Sequence, residues 1–198
     1  MDNIAEGIWL TGALLQPDEC AELLSLSHKN GYEKRTSPRR HNRECFIWRP
    51  DLSKQIVTRL NSKISEDKLM PFYVYDTSAV LQCYLYRRGD LVAPHYDQSN
   101  RVNHGTQSAY TLIIYLNDRF KGGATAFPEL GIELSAPVGH GILFAQSLLH
   151  EGMKVMGGEK YIVRTDVATA GLEDEAATAC ETGRQEASRR PLAVREGD

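Results

Sequence analysis

The sequence predicts a mainly β fold with N-terminal helices, whose core is an antiparallel jelly roll (a double-stranded, cupin-like β-helix). Three observations predict it. Runs rich in Val, Ile, Tyr and Leu recur at 72–86, 109–116, 141–145 and 160–168. Turn clusters that contain Gly, Pro or Asp separate these runs, and no long helical pattern lies between them. Many short strands of this kind favour packed antiparallel sheets.

Residues 1–70 are predicted to be largely helical and to support the barrel. Pro17 opens a first helix, which ends at Asn30 and Gly31. A second helix follows Pro50 and carries an apolar residue at every fourth position: Leu52, Ile56, Leu60 and Ile64. We expect the helices to pack on the barrel through this apolar stripe.

A polar, basic loop is predicted between the helices, from Arg35 to Arg43. It contains Arg39, Arg40, Asn42 and Arg43. A solvated connection and a loop that faces the substrate account for this composition equally well.

The predicted domain organisation is simple. The helical support (1–70) and the barrel (71–171), which forms the catalytic core, make one structural domain. The segment 172–198 consists mostly of Ala, Glu, Arg, Thr and Gly with few large apolar residues. Such a segment buries too little apolar surface to offset the entropy of ordering, so we expect a disordered tail.

Composition excludes several classes of protein. The chain has 198 residues with 41% hydrophobic and 25% charged residues, which is typical of a globular domain. A net charge of −3 predicts no nucleic-acid partner. No apolar run is long enough to span a membrane, and the N-terminus lacks the basic region of a signal peptide. The four cysteines are scattered, which favours reduced thiols and a cytoplasmic location.

The candidate chemistry begins with an H-x-D pair, His95 and Asp97. Gly89 and Asp90 form a turn before it, so the following residues are predicted to re-enter as a strand. Residues two apart in a strand share a face, which places the two side chains together. His150 ends a later strand. Two imidazoles and one carboxylate are the ligands of non-haem Fe(II), with three coordination positions left open.

The last predicted strand supplies a second element. Lys160, Ile162, Arg164 and Asp166 alternate with residues suited to packing. On its own this pattern is typical of solvent-facing cations. Next to a metal site, a cation inside the barrel has a role, because a 2-oxo acid that chelates iron leaves a second carboxylate unpaired. Arg offers that carboxylate a planar fork and Lys a point charge.

Taken together, the stretch from Tyr86 to Val167 resembles the Fe(II)/2-oxoglutarate-dependent dioxygenases of the prolyl 4-hydroxylase-like branch. The matching segments are Tyr86-x-x-Gly89-Asp90-x-x-x-Pro94-His95-x-Asp97, Thr111-x-x-x-Tyr115-Leu-Asn117, Gly122-Gly-x-Thr125-x-Phe127, Pro137-x-x-Gly139 and His150-x-Gly152-x-x-Val155-x-x-Gly158-x-Lys160. They cover about eighty residues in the family's order.

The resemblance implies roles for individual residues. His95, Asp97 and His150 would be the iron ligands. Lys160 would pair with the distal carboxylate of 2-oxoglutarate, and Tyr86 would hydrogen-bond the same cosubstrate. Arg164 would share that carboxylate with Lys160 or meet an acidic group of the substrate. No catalytic residue beyond the metal ligands is implied.

The reaction implied by the resemblance is hydroxylation of an unactivated C–H bond, with conversion of 2-oxoglutarate and O₂ to succinate and CO₂. Asp97 occupies the position at which related halogenating enzymes have a small residue, so hydroxylation is expected. The expected cofactors are Fe(II), 2-oxoglutarate and O₂, with ascorbate as a possible reductant. The expected substrate is a proline or other amino-acid side chain, in a peptide or a small molecule.

Two alternatives remain at this point. A cupin-type metalloenzyme that does not use 2-oxoglutarate would keep the metal ligands and would have no use for Lys160 and Arg164. A non-catalytic binding barrel is the third class, although a degenerate member would be expected to have lost a ligand. The N-terminal half and the loop 98–108 are expected to shape substrate choice, and the sequence does not indicate an oligomeric state.

Overall fold

The computed structural model describes residues 1–66, 72–103 and 106–171. Two α-helices lie in this part of the chain, α1 (Pro17–Asn30) and α2 (Pro50–Glu66), with one short 3-10 helix (Pro128–Leu130). The strands are β1 (Asp2–Ala5), β2 (Ile8–Ala13), β3 (Glu33–Ser37), β4 (Arg40–Trp48), β5 (Phe72–Thr77), β6 (Val80–Tyr86), β7 (Leu91–His95), β8 (Tyr110–Tyr115), β9 (Phe120–Gly122), β10 (Thr125–Phe127), β11 (Ile132–Leu134), β12 (His140–Ala145), β13 (His150–Gly152), β14 (Val155–Gly158) and β15 (Lys160–Gly171).

Both helices begin at the predicted prolines. The backbone N–H of Gln16 donates to the Glu19 carboxylate at 2.8 Å, which satisfies a free donor at the start of α1. Gly31 follows the end of α1 with φ of 81°, a conformation that favours glycine. The apolar stripe predicted for α2 is buried throughout.

Residues 1–70 are less helical than the sequence predicts. Strands β1 to β4 lie in this segment, and all four belong to the main sheet. The predicted basic loop is a β-hairpin, in which β3 pairs with β4 from Glu33 opposite Glu44 to Ser37 opposite Arg40. The sequence does not show β4 as a strand because the inward residues of this half, Arg40, Asn42 and Glu44, are polar. Arg40 lines the cavity, and Asn42 and Glu44 accept hydrogen bonds from it.

Antiparallel pairing joins thirteen strands in one curled sheet. Its order is β1-β2-β12-β8-β15-β6-β4-β7-β13-β10-β11, with β3 beside β4 and β5 beside β15. Strands β14 and β9 form a separate pair. The sheet turns from one wall of the barrel to the other at β4, which pairs with β6 along most of its length and with β7 only at Arg40 and His41. The predicted fold class, a mainly β jelly roll with N-terminal helices, is confirmed.

Two hydrophobic cores lie on the two faces of the barrel wall that contains β6, β8 and β15, which we call the main wall. The outer core joins the helices to the sheet and includes Leu23, Leu60 and Val163. The inner core lies between the walls and includes Ile162 and Phe144. Neighbouring residues along β15 therefore face opposite cores, as the period of a strand requires. Lys160 and Arg164 are on the inner face with Ile162, inside the barrel.

No helix in residues 1–66, 72–103 and 106–171 is long and apolar enough to cross a membrane. The predicted disordered tail, 172–198, lies outside the described residues. The boundary at residue 70 stays a prediction.

Candidate metal centre

Strands β7 and β13 pair side by side and bring the three predicted ligands together. His150 lies directly opposite His95 in the ladder, and Asp97 follows the end of β7. The potential ligand atoms of the three residues all lie within 4.8 Å of one another. The carboxylate of Asp97 is 3.7 Å from Nε2 of His95 and 3.6 Å from Nε2 of His150. This convergence of two imidazoles and one carboxylate fits a facial Fe(II) site.

Backbone contacts orient both imidazoles for metal binding. Nδ1 of His95 lies 2.9 Å from the carbonyl oxygen of Ala93, and Nδ1 of His150 lies 3.0 Å from that of Leu148. A carbonyl oxygen can only accept, so each Nδ1 carries the proton and each Nε2 presents a lone pair. The two Nε2 atoms both face Asp97. Such contacts behind a metal-binding histidine fix the ring and its tautomer.

Electrostatics keep these groups in the protonation states that bind metal. Burial alone would raise the pKa of Asp97, but the Arg164 guanidinium, His150 and a hydrogen bond from Thr111 hold it below its usual value. Burial lowers the pKa of His150, and the Asp97 charge opposes this only in part. At neutral pH the site therefore offers an ionised carboxylate and a neutral imidazole at position 150.

Lys160 is a buried cation without a carboxylate partner. Its side chain is enclosed by the rings of Tyr86, Tyr115 and Phe120, and its Nζ donates to the carbonyl oxygen of Gly123 at 2.5 Å. Burial lowers the pKa of Lys160 to about 7. Among the described residues no acidic group forms an ion pair with it, so the inner wall holds an uncompensated basic site.

Arg164 has a different environment, although it lies on the same face. Its Nη2 is 3.1 Å from Oδ2 of Asp97 and 2.9 Å from Oδ1 of Asp166. Two protein carboxylates thus already flank this guanidinium, whose side chain is only 11% exposed.

The predicted residues all line one cavity of about 370 Å³ between the two walls. The metal ligands, Lys160, Arg164 and Tyr86 belong to its lining. The Tyr86 hydroxyl has no hydrogen-bond partner in the described part of the chain, and burial raises its pKa above the usual value for tyrosine. A neutral phenol donor is therefore free to meet a ligand in the cavity.

Three residues that contact a candidate ligand or line the cavity were not identified from the sequence. Thr111 donates from its hydroxyl to Oδ2 of Asp97 at 2.6 Å. Arg40 lies over the ring of Tyr84, 5.0 Å from its centroid, and both line the cavity. Thr111 lies within one of the motifs quoted above, which was the available signal. The sequence drew attention to the segment around Arg40 but gave no means of choosing between its arginines.

Comparison with known proteins matches the core of the chain to one family. The model of the 2OG-Fe(II) oxygenase superfamily matches residues 81–165, which include all three candidate ligands, Lys160 and Arg164. A protein of Acanthamoeba polyphaga mimivirus, described as a candidate prolyl 4-hydroxylase, is 24% identical over 172 residues, or 75% of this chain and 69% of the mimivirus protein.

Solved structures show the same fold. A viral collagen prolyl hydroxylase from Paramecium bursaria Chlorella virus-1, in complex with 2OG, superposes with a TM-score of 0.57 at 22% identity, covering 85% of this chain and 99% of the viral one. A prolyl hydroxylase from Trichoplax adhaerens, in complex with a hypoxia inducible factor peptide fragment, gives a TM-score of 0.60 at 16% identity, covering 82% and 83% of the two chains.

Proposed function

The chain belongs to the 2OG-Fe(II) oxygenase superfamily, with relatives of the prolyl hydroxylase type, and we propose that it hydroxylates a proline or other amino-acid side chain presented in a peptide. It is a 2-oxoglutarate-dependent hydroxylase. The observation that carries the proposal is an assembled His-Asp-His site with an unpaired buried lysine in the same cavity.

The metal ligands in this proposal are His95, Asp97 and His150. Bound Fe(II), with 2-oxoglutarate and O₂, supplies the oxidation that hydroxylates carbon while 2-oxoglutarate becomes succinate and CO₂. These three residues would hold the metal from one side, and the cavity would leave room beside it for the cosubstrate and O₂. Its other task is to place the substrate C–H beside those positions and to exclude water.

Lys160 is the proposed anchor for the distal carboxylate of 2-oxoglutarate. Its ammonium lies in the cavity wall without a counter-ion, and burying an unpaired cation is costly. A bound carboxylate removes that cost and gains a charge-assisted contact. Tyr86 lies on the same wall and has a free hydroxyl to donate to the same cosubstrate. Arg164, which already has two carboxylates, is not part of this anchor.

The two alternatives to an oxygenase of this kind lack a comparable explanation. A metalloenzyme that does not use 2-oxoglutarate would leave the buried Lys160 without a role or a partner. A non-catalytic barrel would have no reason to keep three converging ligands whose imidazoles are held in the metal-binding tautomer.

Exposed apolar side chains beside the cavity support a peptide as the substrate. Phe46, Trp48 and Val80, which we call the apolar platform, are 51%, 67% and 37% exposed. Trp48 lies directly opposite Val80 in the β4–β6 ladder, so the three side chains form one patch. Neighbouring exposed apolar residues of this size are typical of binding surfaces.

The apolar platform continues the floor of the cavity. Phe46 lies opposite Gln82, and Gln82 lies opposite Arg164, which contacts Asp97. Two strand spacings therefore separate Phe46 from Arg164, about 10 Å between Cα atoms. A ligand that contacts both the platform and the metal site must therefore be an extended molecule.

The backbone beside the platform also suits a polypeptide. β3 pairs with β4 only as far as Glu44, so no described strand pairs with Cys45–Trp48 on the edge away from β6. Extended peptides bind such edges by adding a strand, and proline-rich segments dock on exposed aromatic rings. A free amino acid needs neither feature.

We propose ascorbate as a reductant and a cytoplasmic location. The cysteines in the described part of the chain, Cys20, Cys45 and Cys83, are buried free thiols, and a reducing compartment suits both thiols and Fe(II). Fractionation of cells that express the chain tests the location, and succinate formation with and without ascorbate tests the reductant.

The reaction class is tested first by succinate formation from 2-oxoglutarate. The purified protein is supplied with Fe(II), ascorbate, O₂ and a proline-containing peptide. We expect succinate and a peptide heavier by one oxygen atom, and neither product from His95→Ala. Succinate formation by His95→Ala at the wild-type rate would contradict the proposed metal site.

The peptide proposal is tested with Phe46→Ala and Trp48→Ala. We expect each variant to raise the KM for the peptide about tenfold or more, because an exposed aromatic anchor is lost, and to leave the KM for 2-oxoglutarate unchanged. Tyr75→Ala is the matched control, since Tyr75 is 44% exposed on β5, whose one partner among the described strands is the Val167–Gly171 end of β15. An unchanged KM for the peptide in both platform variants, or hydroxylation of free proline in preference to the peptide, would contradict a peptide substrate.

A further inference from the structure

The two carboxylate oxygens of Asp97 have different surroundings. Oδ2 accepts the Thr111 hydroxyl at 2.6 Å and lies 3.1 Å from Nη2 of Arg164. Oδ1 accepts no hydrogen bond from any residue that the structure describes. It lies 3.7 Å from Nε2 of His95, and Oδ2 lies 3.6 Å from Nε2 of His150. Each oxygen therefore faces one imidazole, but only Oδ2 is also held by two donors.

Arg164 is itself fixed in place. Its Nη2 contacts Oδ1 of Asp166 at 2.9 Å. Asp166 in turn accepts Nε2 of Gln146 on Oδ1 at 3.1 Å and Nδ2 of Asn100 on Oδ2 at 3.2 Å. Buried hydrogen-bonded networks of this kind hold a side chain in one geometry.

The charges in this network compensate one another within the protein. One guanidinium lies between two carboxylates, those of Asp97 and Asp166. If Arg164 turned to a third carboxylate, both of these buried anions would lose their cation, which is costly in a cavity wall. Lys160, by contrast, has no carboxylate to lose. Arg164 therefore pairs with carboxylates of the protein itself, whereas Lys160 can pair with the carboxylate of a ligand.

We propose that Thr111 and Arg164 clamp Oδ2 of Asp97 and so restrict this carboxylate to a single metal bond through Oδ1. A carboxylate can bind a metal through one oxygen or two. Binding through both would fill one of the three open positions of the octahedron. The clamp keeps all three free for two cosubstrate oxygens and O₂. Arg164 is thus a positioning residue, and the inference rests on the metal site proposed above.

The number of exchangeable waters on bound Mn(II) tests the clamp. Mn(II) replaces iron, and water-proton relaxation counts the waters in the intact protein. We expect three in the wild type. Thr111→Val, which keeps the shape of the side chain and removes its hydroxyl, should leave two, as should Arg164→Met. Loss of such a supporting contact also lowers metal affinity by about 10- to 100-fold.

Conservative variants and a remote control separate the clamp from a general loss of structure. Thr111→Ser keeps a hydroxyl, so three waters should return. Arg59→Met removes a partly buried ion pair, in which Arg59 on α2 lies 2.7 Å from Glu19 on α1, and should keep both three waters and wild-type Mn(II) affinity. Thermal melting of each variant checks that it is folded. If Arg164→Met is unfolded, Thr111→Val decides.

The outcomes are distinguishable. Three waters in Thr111→Val, whatever its affinity, would overturn the clamp and leave the metal site standing. Failure of the wild type to bind Mn(II) would overturn the proposed function, and this inference with it. Two waters in Thr111→Val with three in Thr111→Ser would support the clamp.

Discussion

A buried lysine without a counter-ion is the clearest single-residue signal in this protein. Lys160 is 3% exposed. Its Nζ donates to a backbone carbonyl oxygen and lies 4.8 to 6.0 Å from the centroids of three aromatic rings. Desolvation is the cause of its lowered pKa. The group is therefore close to its titration point at neutral pH, and a carboxylate in the cavity would draw a proton onto it.

Binding of 2-oxoglutarate should depend on pH through Lys160. Below a pKa of about 7 the free protein carries the ammonium that the carboxylate needs, and above it the proton is lost before binding. The Kd should therefore rise as pH increases from 7 to 8.5, approaching tenfold per pH unit. Titration calorimetry on the Mn(II)-loaded protein measures it.

The control for this prediction is Lys160→Arg. A guanidinium stays protonated throughout the range, so any binding that remains should not vary with pH. A wild-type Kd that is the same at pH 7 and pH 8.5 would show that Lys160 does not carry the carboxylate.

At the scale of elements, the position of β4 explains how an N-terminal segment helps to build the site. One half of the strand places Arg40 in the cavity wall, and the other half carries Phe46 and Trp48 of the apolar platform. The opposite face, with Cys45 and Ile47, packs in the helix-facing core. One strand therefore joins the support, the cavity and the platform.

The turn before β12 depends on a glycine. Gly139 has φ of 78°, and a Cβ at this position would lie 2.2 Å from the carbonyl oxygen of Leu15. Gly139→Ala should destabilise the protein by about 2–3 kcal/mol, because the substitution adds backbone strain and a clash with main chain. A fall in Tm of about 5–10 °C is the expected result by calorimetry.

Gly157→Ala is the matched substitution. A Cβ there meets no atom within 4 Å and its φ is not positive, so the Tm should change little. A Tm for Gly139→Ala equal to that of Gly157→Ala would mean that the turn can rearrange at no cost.

For the molecule as a whole, the metal site joins the two walls of the barrel. His95 and His150 lie on β7 and β13, whereas Arg164 and Thr111, which hold Asp97, lie on β15 and β8 of the other wall. A metal bonded to all three ligands would link β7 and β13 to the residues of the other wall that hold Asp97. A bound cation should therefore stabilise the whole barrel.

Metal binding should raise the Tm of the protein. At a Mn(II) concentration about a hundred times the Kd, linkage adds about 2.7 kcal/mol of stability, or roughly 5–10 °C for a chain of this size. Chelation should reverse the shift. His95→Ala should show no shift, while His140→Ala, which alters a histidine at the start of β12, should respond as the wild type does. A shift of equal size in His95→Ala would mean that the metal binds elsewhere.

The sequence by itself determined the features that depend on local pattern. The H-x-D spacing, the later His150 and the alternation of Lys160 with Arg164 can all be read from the chain, and the period of two in a strand puts Lys160 and Arg164 on one face. Two strand ends were predicted wrongly: β7 ends at His95, so Asp97 lies just beyond it, and His150 begins β13 instead of ending the strand before it. The prolines and the glycine that bound the helices, and the apolar stripe of α2, follow from helix geometry in the same way. Each of these signals lies within a few residues of chain.

Only the tertiary structure decided what depends on pairing between distant segments. Register places Phe46 opposite Gln82 and Gln82 opposite Arg164, and packing brings Thr111 to Asp97. Neighbours from other parts of the chain likewise decide the ion pairing of two residues on one strand face: Lys160 has no carboxylate partner among the described residues, and Arg164 lies between two carboxylates. A period of two gives the face on which a side chain lies, whereas its partners depend on the register of every strand around it.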